Sequence, residues 1–338
     1  MKEKFIKYAG YLSYPIPIRF WAWFTKHTII FPFYHTISNE PLKYIHPLYQ
    51  PLNERRFTQH IDYLLKHYEP ISIVEAYQHI VNHTAPRKPS FVLSFDDGLA
   101  GIYHGAYPIL KKKGIAPVVF LNTDFVDNKA LFYRFKMTLI LNALSQQPML
   151  QKPVQAILND AHIEGKDIVS QLYNIDFKHS DILDKLLPIC EINEVEFLQT
   201  EKPYLTLNQI KELSEQGFNF GSHGTNHAPF QILSETEREE QLQKSFQWIE
   251  QYCPQPLKMF AFPFTDAKIS KEYILSLHHQ KKVHISMGGA GINNDVITTH
   301  IQRIPMEKMY ARNVQKMIKS EYLYFLLKKI MGKKAITR

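Results

Sequence analysis

Two clusters of side chains stand out by residue type and spacing. The first is Ser94-Phe95-Asp96-Asp97-Gly98, two adjacent carboxylates directly after an apolar run. Like charges so close resist ionising together, so the pair is costly unless something uses it. Consecutive side chains at a strand end diverge, so one carboxylate can bind a metal while its neighbour faces a bound water. Gly98 permits the tight exit, although an Asp-Asp-Gly turn capping the next helix would use the same residues. The second cluster is Gly221-Ser222-His223-Gly224-Thr225-Asn226-His227. Two histidines four apart beyond a strand can converge on one cation. With a carboxylate they make a facial site that leaves positions open for water and substrate. Singly, each histidine reads as a polar loop residue in a chain with 16 of them. No Glu follows His223 and the context is strand to loop, so this is not the metalloprotease signature.

Such residues need rigid elements to hold them. Residues 28–34, 90–95 and 117–121 are apolar, β-rich runs that read as buried strands. Residues 53–68 carry Phe57, Ile61, Leu64, Leu65 and Tyr68 on one helical face. A helix over 106–113 stops at Gly114. Thr206 with Gln209, and Ser234 with Glu237, form two capping boxes that open further helices. Residues 218–221, 259–262 and 283–287 supply more strands, the last two around a helix from Ser270. Strands alternating with helices predict an α/β fold with a parallel sheet; periodicity leaves open whether it is a barrel or a doubly wound sheet. Residues 127–203 break the rhythm with helical patterns and read as an insertion in one loop. Residues 314–338 read as a basic amphipathic helix followed by a frayed tail.

The 338 residues suffice for one large domain with an insertion, and 45% hydrophobic with 21% charged residues excludes a disordered chain. A net charge of +8 points to acidic partners: anionic glycans, a membrane surface or nucleic acid. No recognition motif supports nucleic acid. Cys190 and Cys253 lack metal-ligand spacing and are too few for a disulfide framework, so buried thiols in a reducing compartment are expected. Lys2, Lys4 and Lys7 make a basic start, but Pro15, Pro17 and Arg19 interrupt any signal-like apolar stretch. No run of about 18 apolar residues occurs, and the expected location is the cytoplasm.

Taken together and in this order, SFDDG and SHGTNH resemble the first two motifs of the polysaccharide deacetylases, carbohydrate esterase family four, with the NodB homology domain. Phe260-Ala261-Phe262-Pro263-Phe264 is similar to that family's third motif, and Phe33-Tyr34-His35 to the "YH" element of its poly-N-acetylglucosamine deacetylase branch. The resemblance covers roughly 29–124 and 205–305. It implies a distorted (β/α) barrel spanning 28–126 and 204–312, with 1–27 as an extension, 127–203 as the helical insertion and 313–338 as the tail.

It further implies that Asp97, His223 and His227 hold one divalent metal, zinc first with iron, cobalt and nickel as alternatives. Asp96 becomes the general base, and the backbone N–H of Phe264, beside Pro263, receives the oxyanion. The chain departs from the family in two places. No counterpart of the usual C-terminal acid histidine is evident, so His35 is preferred as general acid over His300. Ala261 stands where many members carry an arginine; Arg303 either supplies that charge or forms a structural ion pair. The implied function is a metal-dependent hydrolase that removes N-acetyl groups from a sugar residue of a polysaccharide or glycan precursor, lipid-linked precursors included. An amidase acting on a non-sugar C–N bond and an inactive carbohydrate-binding protein are the competing readings. Phe20, Trp21, Trp23 and Phe24 beside Arg19 and Lys26, with Tyr322, Phe325 and Leu326 beside Lys319, Lys328, Lys329, Lys333 and Lys334, leave two expectations: peripheral contact with an anionic inner membrane, or two ends that cover the outside of the barrel with solvated lysines.

Overall fold

The computed structural model describes residues 16–307, 313–332, 335–336 and 338. The cations Lys2, Lys4, Lys7, Lys333 and Lys334, and Pro15, lie outside the described residues.

The apolar runs do become strands, all parallel. They are β1 (Ile29–Ile30), β2 (Pro32–Tyr34), β3 (Glu69–Pro70), β4 (Ser90–Phe91), β5 (Ser94–Phe95), β6 (Val118–Leu121), β7 (Asn219–Ser222), β8 (Met259–Ala261), β9 (Ile285–Gly288), β10 (His300–Gln302) and β11 (Ile304–Pro305). The eight-stranded sheet runs β10-β9-β8-β7-β6-β5-β2-β11. Only Arg303 separates β10 from β11, so the two ends of this order are halves of one strand and the sheet comes round on itself. The pairing Ile304↔Pro32 makes the closure, and a three-stranded extension, β1-β4-β3, continues two strands at their amino ends. This is the distorted (β/α) barrel expected of the sequence.

Continuous apolar runs suit this architecture because parallel strands are covered on both faces. Phe95, Phe120, Phe220 and Phe260 are fully buried. Helices follow their caps: Asn53 accepts from the Arg56 N–H, and both predicted boxes form, Thr206 with Gln209 and Ser234 with Glu237. The helix expected over 106–113 differs. A π-helical turn, Ile102–Ala106, precedes a short α-helix, Tyr107–Lys112. Here the chain passes very close to the loop after β2: a Cβ on Gly105 would lie 2.7 Å from the Ile37 carbonyl oxygen, and one on Gly101 would lie 2.5 Å from it. Only glycine allows that approach.

Between β6 and β7 the chain leaves the barrel for a helical unit, whose helices include Tyr133–Gln146, Gln151–Asp160, Ile168–Asn174, Asp181–Ile189 and Glu194–Glu201. It has its own apolar centre around Phe135, Ile140, Val154, Leu158 and Leu183. Tyr204 ties it to the barrel, its hydroxyl accepting from the Phe132 N–H at 2.9 Å and its backbone bridging Leu99. The unit therefore stands at the carboxyl ends of the strands.

The C-terminal expectation needs correction. The helix Val314–Ile330 is a core element: Met317, Ile318, Tyr322 and Phe325 join the barrel's apolar cluster, and Lys319 and Glu321 are buried too. Tyr322 donates to the His27 carbonyl at 3.1 Å, and the Phe325 ring meets His27 edge-on. Beyond it, Arg338 is held in place, its guanidinium pairing with Asp266 and Asp295. Aromatic and apolar residues mixed with lysines read alike whether the helix faces a membrane or a barrel, and here the helix Ile18–Thr25 and the barrel cover it. Cys190 and Cys253 are free and buried. Among the described residues, no helix is long and apolar enough to cross a membrane.

Candidate active site

The two carboxylates sit just past β5. The Asp96 N–H continues the strand pairing, donating to the Tyr34 carbonyl at 2.9 Å. Asp97 then turns into the left-handed region, with φ +71°, and Gly98 follows at +67°. The turn sends the side chains apart, Asp96 toward the last strand and Asp97 toward the loop after β7. His227 and Phe264 also have positive φ, +61° and +59°. Left-handed backbone at a bulky residue costs about 1–3 kcal/mol and clusters where function demands it.

His223 begins the second loop, and its N–H donates to the Leu121 carbonyl at 2.8 Å. Its Nδ1 lies 2.7 Å from the Ala261 carbonyl oxygen, which can only accept, so Nδ1 carries the proton and Nε2 a lone pair. That Nε2 lies 3.5 Å from Asp97 Oδ1, and His227 Nε2 lies 3.1 Å from the same oxygen. Burial, with help from His227 and Arg303, holds His223 down at about 4 despite the carboxylates, leaving it neutral. Asp97 sits well below the usual carboxylate range, because the neighbouring histidines, His227 foremost, outweigh burial. Its Oδ1 is buried with no hydrogen-bond partner. An orphaned carboxylate oxygen facing two imidazole nitrogens fits a divalent cation. The three donors lie within 4.8 Å of one another, suiting zinc, iron, cobalt or nickel.

Arg303, in the single-residue break between β10 and β11, reaches Asp96 with both ends of its fork, Nη1 to Oδ1 at 2.6 Å and Nη2 to Oδ2 at 2.7 Å. Nη1 also donates to Ser94 Oγ, and the guanidinium carbon lies 4.3 Å from the Phe33 ring centre. Burial would raise the Asp96 carboxyl, but Arg303 overrides it and holds the group below its ordinary value. Arg303 thus supplies a positive charge beside Asp96, which Ala261 cannot.

His35 follows β2 and lines the same cavity as Asp96 and Asp97. Its Nδ1 is 2.5 Å from Glu307 Oε2, and Glu307 also accepts from the His35 and Thr36 backbone N–H groups. Burial alone would lower this imidazole; Glu307 overcomes that, lifting it to about 9. His300 is elsewhere. Its Nε2 meets Asp266 at 3.0 Å and its Nδ1 meets Ser286 Oγ at 2.7 Å, outside the cavity. Asp266, Asp295 and His300 form a second cluster of metal-binding type, but the Arg338 guanidinium supplies its positive charge.

Phe264 lines the cavity, half-exposed, with its ring 4.4 Å from His227. Among the described residues its N–H makes no hydrogen bond, so it is available to a substrate oxygen. Pro263 fixes the turn before it without lining the cavity. Three further contributors escaped the sequence reading. Glu307 is 272 residues from His35, and nothing local announces the pairing. Tyr49, whose ring lies 5.0 Å from His35, sits in an irregular loop. The insertion sends Phe132, Arg134 and Phe135 into the cavity, which encloses about 390 Å³. Their aromatic and cationic types were the only available signal.

A parallel (β/α) barrel with a two-histidine, one-carboxylate cluster and a separate clamped aspartate at its carboxyl end defines a class of hydrolase. The sequence pattern of the polysaccharide deacetylases matches residues 83–282, and the chain belongs to that family. Its fold is similar to that of the Streptococcus pyogenes deacetylase PplD solved with acetate (TM-score 0.55, 17% identity, 86% of this chain and 97% of that one). It is also similar to IcaB from Ammonifex degensii (TM-score 0.55, 14% identity, 86% and 97%). A de-N-acetylase from Aggregatibacter actinomycetemcomitans aligns over 87% of this chain and 99% of its own, with TM-score 0.51 and 16% identity. No curated protein matches the chain in sequence.

Proposed function

We propose that this protein is a metal-dependent carbohydrate N-deacetylase that releases acetate from an N-acetylated sugar of a polysaccharide or glycan precursor. One observation carries the reading: a ligand set for a cation, a carboxylate clamped by Arg303 and a histidine paired with Glu307 line one cavity. Asp97, His223 and His227 would hold the cation, which when bound supplies a Lewis acid for the acetamide carbonyl and for an attacking water. Asp96, held ionised and oriented by Arg303, takes a proton from the water as its oxygen bonds to the acetamide carbon. The Phe264 N–H receives the carbonyl oxygen as it gains charge. His35, with Nδ1 engaged by Glu307, presents Nε2–H to the sugar nitrogen; the C–N bond breaks, the nitrogen gains that proton, and acetate and a free amine leave. The buried, unpartnered Asp97 oxygen favours this over an inactive binding protein, which has no need of it.

The deciding experiment pairs metal analysis with acetate release from a panel of N-acetylated glycans. Wild type is expected to carry about one divalent ion per chain, and His223→Ala or His227→Ala to lose it while staying folded. Unchanged metal in both variants rejects the ligand set.

A cytoplasmic location at the inner membrane surface belongs to the same proposal. It is supported by exposed Phe20, Trp23 and Phe24 beside Arg19 and Lys26, but no longer by Tyr322 and Phe325, which are buried.

A further inference from the structure

The cavity is lined by two arginines in different situations. Arg303 is committed to Asp96. Arg134 enters from the first turn of the insertion helix Tyr133–Gln146 and pairs with no carboxylate among the described residues. Its Nη1 donates to the Tyr173 carbonyl at 2.9 Å and lies 3.6 Å from Met137 Sδ, and its guanidinium carbon sits 5.0 Å from the centre of the Tyr133 ring. These contacts hold the group in place without neutralising it. A fixed, unneutralised guanidinium on a substrate cavity is a receptor for a carboxylate or phosphate, which its fork can grip bidentately. The other charges do not compete for that role. The carboxylates of Asp96 and Asp97 answer to Arg303 and the histidines, and Glu307 to His35. A net charge of +8 favours the approach of anions.

We propose that Arg134 binds an anionic group of the substrate, so that the natural substrate is an N-acetylated sugar carrying, or joined to, a carboxylate or phosphate. This rests on the deacetylase reading and narrows its substrate class. A carboxylate would come from an acidic polysaccharide, a phosphate from a soluble activated sugar.

The test measures acetate release by the metal-loaded enzyme from three probes. They are neutral N,N′-diacetylchitobiose, N-acetylglucosamine 1-phosphate, and a disaccharide of glucuronate and N-acetylglucosamine. Wild type is expected to favour one anionic probe over the neutral one by about 10–100-fold in kcat/KM, the range for a charged hydrogen-bonded pair. Arg134→Gln should collapse that preference, chiefly through KM, and Arg134→Lys, which keeps charge but loses the fork, should retain part of it. Equal use of all three probes by wild type, or the same loss on all three in R134Q, overturns the inference. If R134Q does not fold, the lysine variant decides, and an undiminished preference there counts against the idea. If no probe yields acetate, the deacetylase reading fails separately. Calorimetry with glucose 1-phosphate and glucuronate then settles this inference alone: about tenfold weaker binding to R134Q upholds it, and equal binding overturns it.

Discussion

In the proposed reaction Asp96 and His35 divide the proton work, and each is paired with a partner from the last strand or just past it. Asp96 is buried against Arg303, so Asp96→Asn has two expected effects. Losing the general base should lower kcat by about 10²–10⁴-fold with metal retained. Stranding the Arg303 charge should cost stability, on the order of 3–5 kcal/mol, seen as a lower denaturation midpoint. Near-normal turnover would make Asp96 structural. Glu307 works on His35 in the opposite sense. The charged groups that His35 feels are Glu307, Asp97 and Asp96, with Glu307 dominant in holding it at about 9. A general acid must be protonated, so activity is lost as pH rises through that value. A bound cation pushes the limb somewhat lower. Glu307→Gln keeps an acceptor for Nδ1 but removes the charge, and the basic limb of kcat/KM should move down by roughly 1–3 pH units. A limb that stays put in E307Q, yet vanishes in His300→Ala, would assign the acid to the wrong histidine.

At the scale of elements, what was legible in the sequence depended on distance along the chain. The caps at Thr206 and Ser234 and the buried runs are local patterns that formed where their residues predicted, except that 28–34 and 90–95 each break into two short strands in different sheets. Barrel closure was not local: β10 and β11 are too short to register as strands, and closing the sheet depends on the pairing Ile304↔Pro32. The same limit hid Glu307, and it hid the insertion's part in the site, because a helical segment between two strands does not reveal which rim it overhangs. The π-turn Ile102–Ala106 is a subtler case, since its cause is the approach of Gly101 and Gly105 to Ile37 rather than any helix signal. That cause is testable. Gly105→Ala puts a methyl against backbone, which cannot swing aside, and should destabilise by about 1–3 kcal/mol in urea titration. A neutral or stabilising outcome would show that the close approach is not a constraint.

For the whole molecule, the question is how the barrel is presented to its surroundings. The helix Ile18–Thr25 buries Ile18, Trp21 and Ala22 but leaves Trp23 75%, Phe24 59% and Phe20 53% exposed. Ile330 and Met331 are exposed at the end of the C-terminal helix, and Lys329 there is near enough to His27 to help lower it, after burial, to about 4. Aromatic, aliphatic and cationic groups thus gather around Lys26 and His27, which lead into β1 at the amino end of the barrel. The catalytic cavity opens at the other end. Contact with a bilayer through this surface would hold the cavity away from the headgroups, facing a glycan that extends outward. Each cation near an anionic leaflet adds about 1 kcal/mol, and the exposed rings add apolar burial. Vesicles rich in phosphatidylglycerol are therefore expected to float the protein at low salt. Replacing Phe20, Trp23 and Phe24 together with serine should weaken binding by at least about tenfold while leaving the fold intact, because these rings are already in solvent. Deleting the C-terminal helix is not an equivalent test, since it would remove Tyr322 and Phe325 from the core. Equal flotation of wild type and the triple variant, or no flotation at low salt, would mean that this surface does not meet a membrane.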